Sequence, residues 1–183
     1  HTVCKHLQSG TTVHEGVTPL LVRLLLEQSF FYANLSQLAE AAQLVEEAKH
    51  LLANVQDQAL EATLYARLGT IAWASGNYPR HREVYEHALT LARLAGERHI
   101  EAHSLYNLGM NYDRQADYAQ AILAYHSALT IVQALNDPQE ENIISNNLGV
   151  SYSLLGNYGQ SYTYYLQTLQ VSQRLGDQEG EGY

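Results

Sequence analysis

Apolar and aromatic positions in this chain recur with a step of 40 residues. The pairs Leu68-Gly69, Leu108-Gly109 and Leu148-Gly149 each follow the last at that interval. Tyr78, Tyr118 and Tyr158 keep the same step, as do Tyr85, Tyr125 and Tyr165. Tyr32, Tyr112 and Tyr152 share the register, with Ala72 as the exception. Several independent columns that repeat without slippage indicate stacked copies of one supersecondary unit.

The punctuation repeats as well. Asn77, Asp117 and Asn157 stand just before apolar-periodic runs, where a short side-chain oxygen can cap free backbone N–H groups. Asp57, Asp137 and Asp177 do the same for the other run of each unit, with Glu97 as a weaker stand-in. Gly16, Gly96 and Gly176, with Asn136, fall where a helix would end in a left-handed residue. Each unit therefore reads as helix, tight turn, helix, short loop. The pattern predicts first helices over 18–34, 58–75, 98–115 and 138–155, and second helices over 37–54, 78–94, 118–135 and 158–175.

Glycine inside a helix costs roughly 1 kcal/mol relative to alanine, so a repeated one needs a packing reason. Gly69, Gly109 and Gly149 are expected to let the second helix approach the first closely. Ala88 and Ala128 face them, and the tyrosines at 85, 125 and 165 fill the wider space beyond the contact. Repeating that fixed hairpin angle builds a superhelix.

The run Leu108-Gly109, Tyr112, Ala121, Tyr125, Ala128 resembles the tetratricopeptide repeat. The common form has a period of about 34 residues, so this chain resembles the longer-period type. Kinesin light chain, the spindle-orientation adaptors and MalT-like bacterial regulators have such repeats, and Gly156-Asn157-Tyr158 and Arg174-Leu175-Gly176-Asp177 are similar to theirs. The resemblance implies an all-α fold, a right-handed superhelix of antiparallel helical hairpins. Units are expected over 58–97, 98–137 and 138–176, preceded by a degenerate one over 18–57 with Gln28-Ser29 in place of Leu-Gly. Residues 1–17 are expected to form an irregular lead-in or the remnant of an earlier unit, and 177–183 the start of a further one. HEAT and armadillo repeats have similar periods but do not account for the Leu-Gly and Ala-Tyr-Ala columns.

In arrays of this family the first helix of each hairpin lines the concave face. The inward stripe would contain Thr63, Ala66, Arg67, Thr70 and Trp73 in one unit, and His103, Tyr106, Asn107, Met110, Asp113 and Arg114 in the next. Ile143, Asn146, Asn147, Val150 and Leu154 follow. Asn107 and Asn147 are one repeat apart, and amide side chains offer both donor and acceptor to an extended peptide backbone. The long-period adaptors use asparagines at the matching site. The same two residues can instead bond neighbouring helices or lie solvated. Arg67 interrupts that column and suits a carboxylate. Tyr106, Met110 and Trp73 are candidate anchors, with Trp73 equally suited to packing between repeats. Tyr162, Tyr164 and Tyr165 are expected in the core or on the convex back.

Composition narrows the partner class. The 183 residues are 46% apolar, enough for a substantial core, and carry a formal charge of −9, which argues against nucleic acid or an acidic membrane surface as partner. No apolar run approaches the roughly 20 residues that span a bilayer; the richest, Leu20 to Leu26, is interrupted by Arg23. A single cysteine, Cys4, suits a reducing compartment, and a cytoplasmic location is expected. The start at His1 suggests a piece of something longer.

Nine histidines raise a metal hypothesis, and His99 and His103 have the spacing that shares a helix face. A zinc site would need further ligands and no His-Glu-x-x-His run is present, so neither metal nor cofactor is expected. There is no phosphate-binding glycine loop, no serine elbow, and no cysteine beside a plausible base. The sequence thus points to a non-enzymatic scaffold holding a protein or peptide in its groove. Alternatives are a ligand- or peptide-sensing module of a bacterial regulator and a spacer without ligand. The C-terminal hairpin is expected to self-associate or to pack against a further repeat.

Overall fold

The computed structural model describes residues 17–53 and 55–180. Among the described residues are eight helices and no strand. They are α1 (Val17–Asn34), α2 (Leu38–Leu52), α3 (Gln58–Ala74), α4 (Tyr78–Ala95), α5 (Arg98–Arg114), α6 (Tyr118–Leu135), α7 (Pro138–Leu154) and α8 (Tyr158–Gly180). Consecutive helices pair as four antiparallel hairpins, and each hairpin packs on the next through its following first helix, giving an α-solenoid. The expected lead-in and Cys4 lie outside the described residues.

Backbone chemistry explains the tight turns. Ser36, Gly76, Ala116 and Gly156, one per hairpin, all take the left-handed conformation, with φ of 60°, 71°, 58° and 83°. The next N–H then reaches back five residues, as in Asn77 N–H to Ala72 C=O at 2.8 Å and Asp117 N–H to Tyr112 C=O at 3.0 Å. That same next residue caps the second helix: Asn77, Asp117 and Asn157 accept from Arg80, Gln120 and Gln160 N–H groups at 3.2–3.3 Å. Asp57 and Asp137 each accept two N–H bonds at 3.0–3.1 Å, whereas Glu97 makes no side-chain cap bond.

Between hairpins, Gly96 and Asn136 supply the left-handed residue as expected. Two boundaries differ from expectation. α2 stops at Leu52, and position 56 carries Gln56 where the later units have Gly96 and Asn136. Its C-cap Ala53 stays right-handed, and a five-residue connection leads to α3. At the other end Gly176 does not break the chain; α8 runs through it to Gly180, and Asp177 lies within the helix instead of capping a new one. Gly96 and Asn136 are each followed by a helix that packs back on the hairpin; among the described residues none follows α8.

Close approach of paired helices rests on the repeated glycines. A Cβ on Gly69 would stand 2.2 Å from the Tyr85 ring, one on Gly109 2.4 Å from Tyr125, and one on Gly149 2.7 Å from Tyr165. The tyrosines thus lie directly on the glycines and not beyond the contact. Tyr85 and Tyr125 are buried, with Ala88, Ala128 and Leu129 around them, while Tyr165 is 41% exposed. Tyr162 is also exposed.

Candidate functional site

The stripe expected to face a partner crosses α3, α5 and α7, whose neighbouring members touch through side chains. Asn147 Nδ2 donates to the Tyr106 hydroxyl at 3.2 Å. Asp113 accepts from Ser151 Oγ at 2.8 and 3.0 Å and from the Tyr125 hydroxyl at 2.8 Å, which ties α5, α6 and α7 together. Burial raises the Asp113 carboxyl above its usual range, opposed by those two hydroxyls. Arg67 bonds Glu27 of α1 at 3.1 Å and lies 4.4 Å from the centre of the Phe30 ring.

On α7 the stripe is open. Ile143, Val150 and Leu154 are 51%, 37% and 57% exposed, and Asn146 is exposed beside them. Their spacing of three to four residues keeps them on one helical face. On α5 the half-buried Tyr106 and Met110 pack against the third hairpin's core. On α3 the half-buried Trp73 rests against Tyr78 and His81, with ring centres 5.2 and 4.9 Å away. Thr70 donates to its own helix at Ala66 C=O, 3.2 Å away. Exposed Arg114 stacks over the Tyr78 ring at 3.6 Å, reaching back to the preceding hairpin.

Asn107 is placed differently from the rest. It is 8% exposed, and its amide is used within the protein. Its Oδ1 accepts from His81 Nε2 at 3.3 Å, and its Nδ2 donates to His103 C=O at 2.8 Å and approaches His103 Nε2 at 3.3 Å. Asn111 Nδ2 bonds the other nitrogen of His81. This arrangement fits a neutral His81 protonated on Nε2. Burial pushes His81 below its ordinary value, and burial with the nearby Arg67 and His81 drives His103 down to about 4. The network joins the second and third hairpins. Its signal is in the sequence: His81 occupies a column otherwise filled by Ala41, Ala121 and Ser161, all buried.

Two recesses bear on the first junction and on the stripe. The larger, about 870 Å³, lies at the first junction between Lys49, Leu52, Asp57, Tyr65 and Arg80, and no stripe residue lines it. It sits where α2 ends early. The smaller, about 190 Å³, lies on the stripe itself, between His103 and Tyr106 of α5 and Glu140, Ile143 and Ile144 of α7. Glu140 and Ile144 were not among the expected site residues. Among the described residues no three His, Cys, Asp or Glu side chains cluster as a metal site would require, and no helix is long and apolar enough to cross a membrane.

Two family models described as tetratricopeptide repeat match this chain, one over residues 60–134 and one over 145–179. Sequence comparison with curated proteins gives no match. Among solved structures, BtubC (BKLC) from P. vanneervenii is 23% identical over 87% of this chain and 66% of its own, with a TM-score of 0.74. A Rap protein complexed with competence and sporulation factor is 13% identical over 93% of this chain and 46% of its own, at 0.72. The signal-transduction ATPase with a tetratricopeptide repeat sensor from Pyrococcus horikoshii is 18% identical over 86% of this chain and 25% of its own, at 0.71. The chain thus spans a quarter to two thirds of the length of these structures, and at such identities they share its fold. With its 40-residue period and the Leu-Gly and tyrosine columns, the chain belongs to the tetratricopeptide repeat family.

Proposed function

We propose that this array is a non-enzymatic scaffold that holds a protein segment or peptide in its concave groove. The observation that carries the reading is the open stripe of Ile143, Asn146, Val150 and Leu154, continued by Tyr106 and Met110 on α5 and by Arg67, Thr70 and Trp73 on α3. Apolar side chains at one-turn spacing with an amide among them offer both anchors and backbone pairing to an extended segment. Similarity to a Rap protein complexed with a factor supports the reading. Asn107 serves the fold and Asn147 Nδ2 already donates to Tyr106, so the amide offered in full to a ligand is that of Asn146.

The test is capture of partners by the wild type and by Ile143→Ser/Val150→Ser, two exposed changes that leave folding intact. Loss of a specific partner is expected; identical capture by both would overturn the groove. A second reading, a sensing module, is favoured by similarity to the ATPase whose repeats are described as a sensor. A ligand-dependent change in the array's radius of gyration would distinguish it from a passive scaffold.

We also propose self-association through α8. Tyr162 and Leu169 are exposed there, whereas their counterparts one repeat earlier, Ile122 and Leu129, are buried against neighbouring helices. Sedimentation that stays monomeric at high concentration would refute this.

A further inference from the structure

The small cavity between α5 and α7 has a composition that the repeat does not need. Its Glu140 stands in the column of Leu20, Leu60 and Ile100, of which Leu60 is buried in the core, Ile100 half-buried and Leu20 exposed. A carboxylate therefore occupies a place where the other units put hydrocarbon. Glu140 Oε2 is shielded from solvent and has no hydrogen-bond partner. No salt bridge reaches it among the described residues; burial and the nearby Asp137 raise its carboxyl, with His99 opposing. The residue as a whole is half-buried, and a carboxylate oxygen held away from solvent without a partner is costly.

The walls define what fits. Ile143, Ile144 and the Tyr106 ring line the cavity with hydrocarbon and an aromatic face, and His103 adds an imidazole held neutral by burial. About 190 Å³ falls below the roughly 300–1,000 Å³ of small-molecule pockets, which leaves room for one long side chain. A flexible apolar stem ending in a compact cation matches walls and acceptor together. A guanidinium would need two accessible carboxylate oxygens in line to make its fork.

We propose that this cavity is a subsite for a lysine side chain of the bound segment, with Glu140 receiving the ammonium group. It rests on the groove reading above. The Tyr106 ring lies within the same lining and adds attraction for the cation.

The experiment has two arms. In the first, n-butylammonium chloride is titrated into the protein and backbone amide shifts are followed at 103–106 and 140–144. Saturable shifts are expected in the wild type, with binding at least about tenfold weaker for 1-butanol, for butylguanidinium and in Glu140→Gln. Glu140→Leu, which restores the residue of the other units, is expected to abolish the shifts while keeping the wild-type melting temperature or raising it. Absence of shifts in the wild type, equal shifts in Glu140→Gln, or equal binding of butylguanidinium would overturn the proposal. In the second arm, a displayed peptide library is selected on both proteins. A fixed lysine chosen by the wild type and lost with Glu140→Leu is expected. Peptides selected without that lysine would sink the subsite and leave the groove standing. Amine binding with no peptide selected would sink the groove reading and leave an amine site.

Discussion

Gly109→Ala is the sharpest test of the packing described above, because its two main effects oppose each other. Alanine is favoured over glycine in a helix by roughly 1 kcal/mol. Against this, the new Cβ would lie 2.4, 2.6 and 2.9 Å from three carbons of the Tyr125 ring. That ring is 1% exposed, and its hydroxyl donates to Asp113 at 2.8 Å, so it cannot swing away without repacking the core and loosening the bond. Overpacking of this kind costs about 1–3 kcal/mol, and a weakened hydrogen bond about 1 kcal/mol more. The net expectation is a loss of about 1–3 kcal/mol. Gly149→Ala provides the control. Its Cβ would meet Tyr165 at 2.7 Å, but that ring is 41% exposed and free to turn, so the change should fall within about 0.5 kcal/mol of neutral or gain slightly. Urea titrations followed by circular dichroism would measure both. Adding Tyr125→Leu to Gly109→Ala should cost at least about 1 kcal/mol less than the two changes summed. Equal effects of the two glycine substitutions, or a stabilised Gly109→Ala, would refute the close-approach account.

Three further outcomes follow from the same structure. Ala116→Gly should stabilise by about 0.5–1 kcal/mol in urea titration, because Ala116 holds a φ of 58° that its Cβ disfavours and that Gly76 and Gly156 hold freely. Asn107→Ala should cost about 1–3 kcal/mol in the same assay, since it strips His81 Nε2 of its buried acceptor; a neutral result would mean the network is dispensable. Stability should be flat above about pH 6.5 and fall as pH drops from there toward 4, because His81 and His103 are held below their unfolded value and the unfolded chain takes up protons first. For His103 the full drop is about 3 kcal/mol, from 6.5 to about 4 at roughly 1.4 kcal/mol per unit. The raised carboxyls of Asp113 and Glu140 act in the opposite sense at lower pH, so the steepest loss should come between about pH 6.5 and 5 and should shrink in His103→Gln.

The hairpins were legible because local chemistry and packing agree at each unit. Asn77 and Asp117 both cap a helix and follow a left-handed residue, so the turn is specified by neighbours in sequence alone. Where the signal depended on what packs next, it failed. Gly176 has the identity of a helix terminator, yet glycine permits a left-handed turn without requiring one, and the helix continues. At the first junction Gln56 stands where later units have a left-handed cap residue; α2 ends at Leu52 with a right-handed Ala53, and the larger recess lies there. Ala116 was illegible for another reason, since a propensity cost of about 1 kcal/mol is small beside the packing of two helices.

The candidate site was legible as a face and not as chemistry. Helical spacing puts Ile143, Val150 and Leu154 on one face, and all three side chains are exposed. The same spacing could not separate Asn107 from Asn147, since the two share a register and differ in what the neighbouring hairpin presents. Beside Asn107 stands His81 in a column of small residues, an imidazole that needs a donor and an acceptor and takes them from Asn107 and Asn111. Position 121, the counterpart of His81 one unit later, is Ala121, which asks nothing of Asn147; that amide reaches Tyr106 instead and stays half-buried. Departures from a repeat therefore divide by whether another departure answers them. His81 is answered by Asn107 and Asn111 and is satisfied inside the fold. Glu140, a carboxylate in a column of leucine and isoleucine, has His99 nearby but no hydrogen-bond partner for its Oε2 among the described residues. The lysine subsite proposed above rests on that unmatched carboxylate beside an apolar cavity, which is why the search for a ligand should begin there.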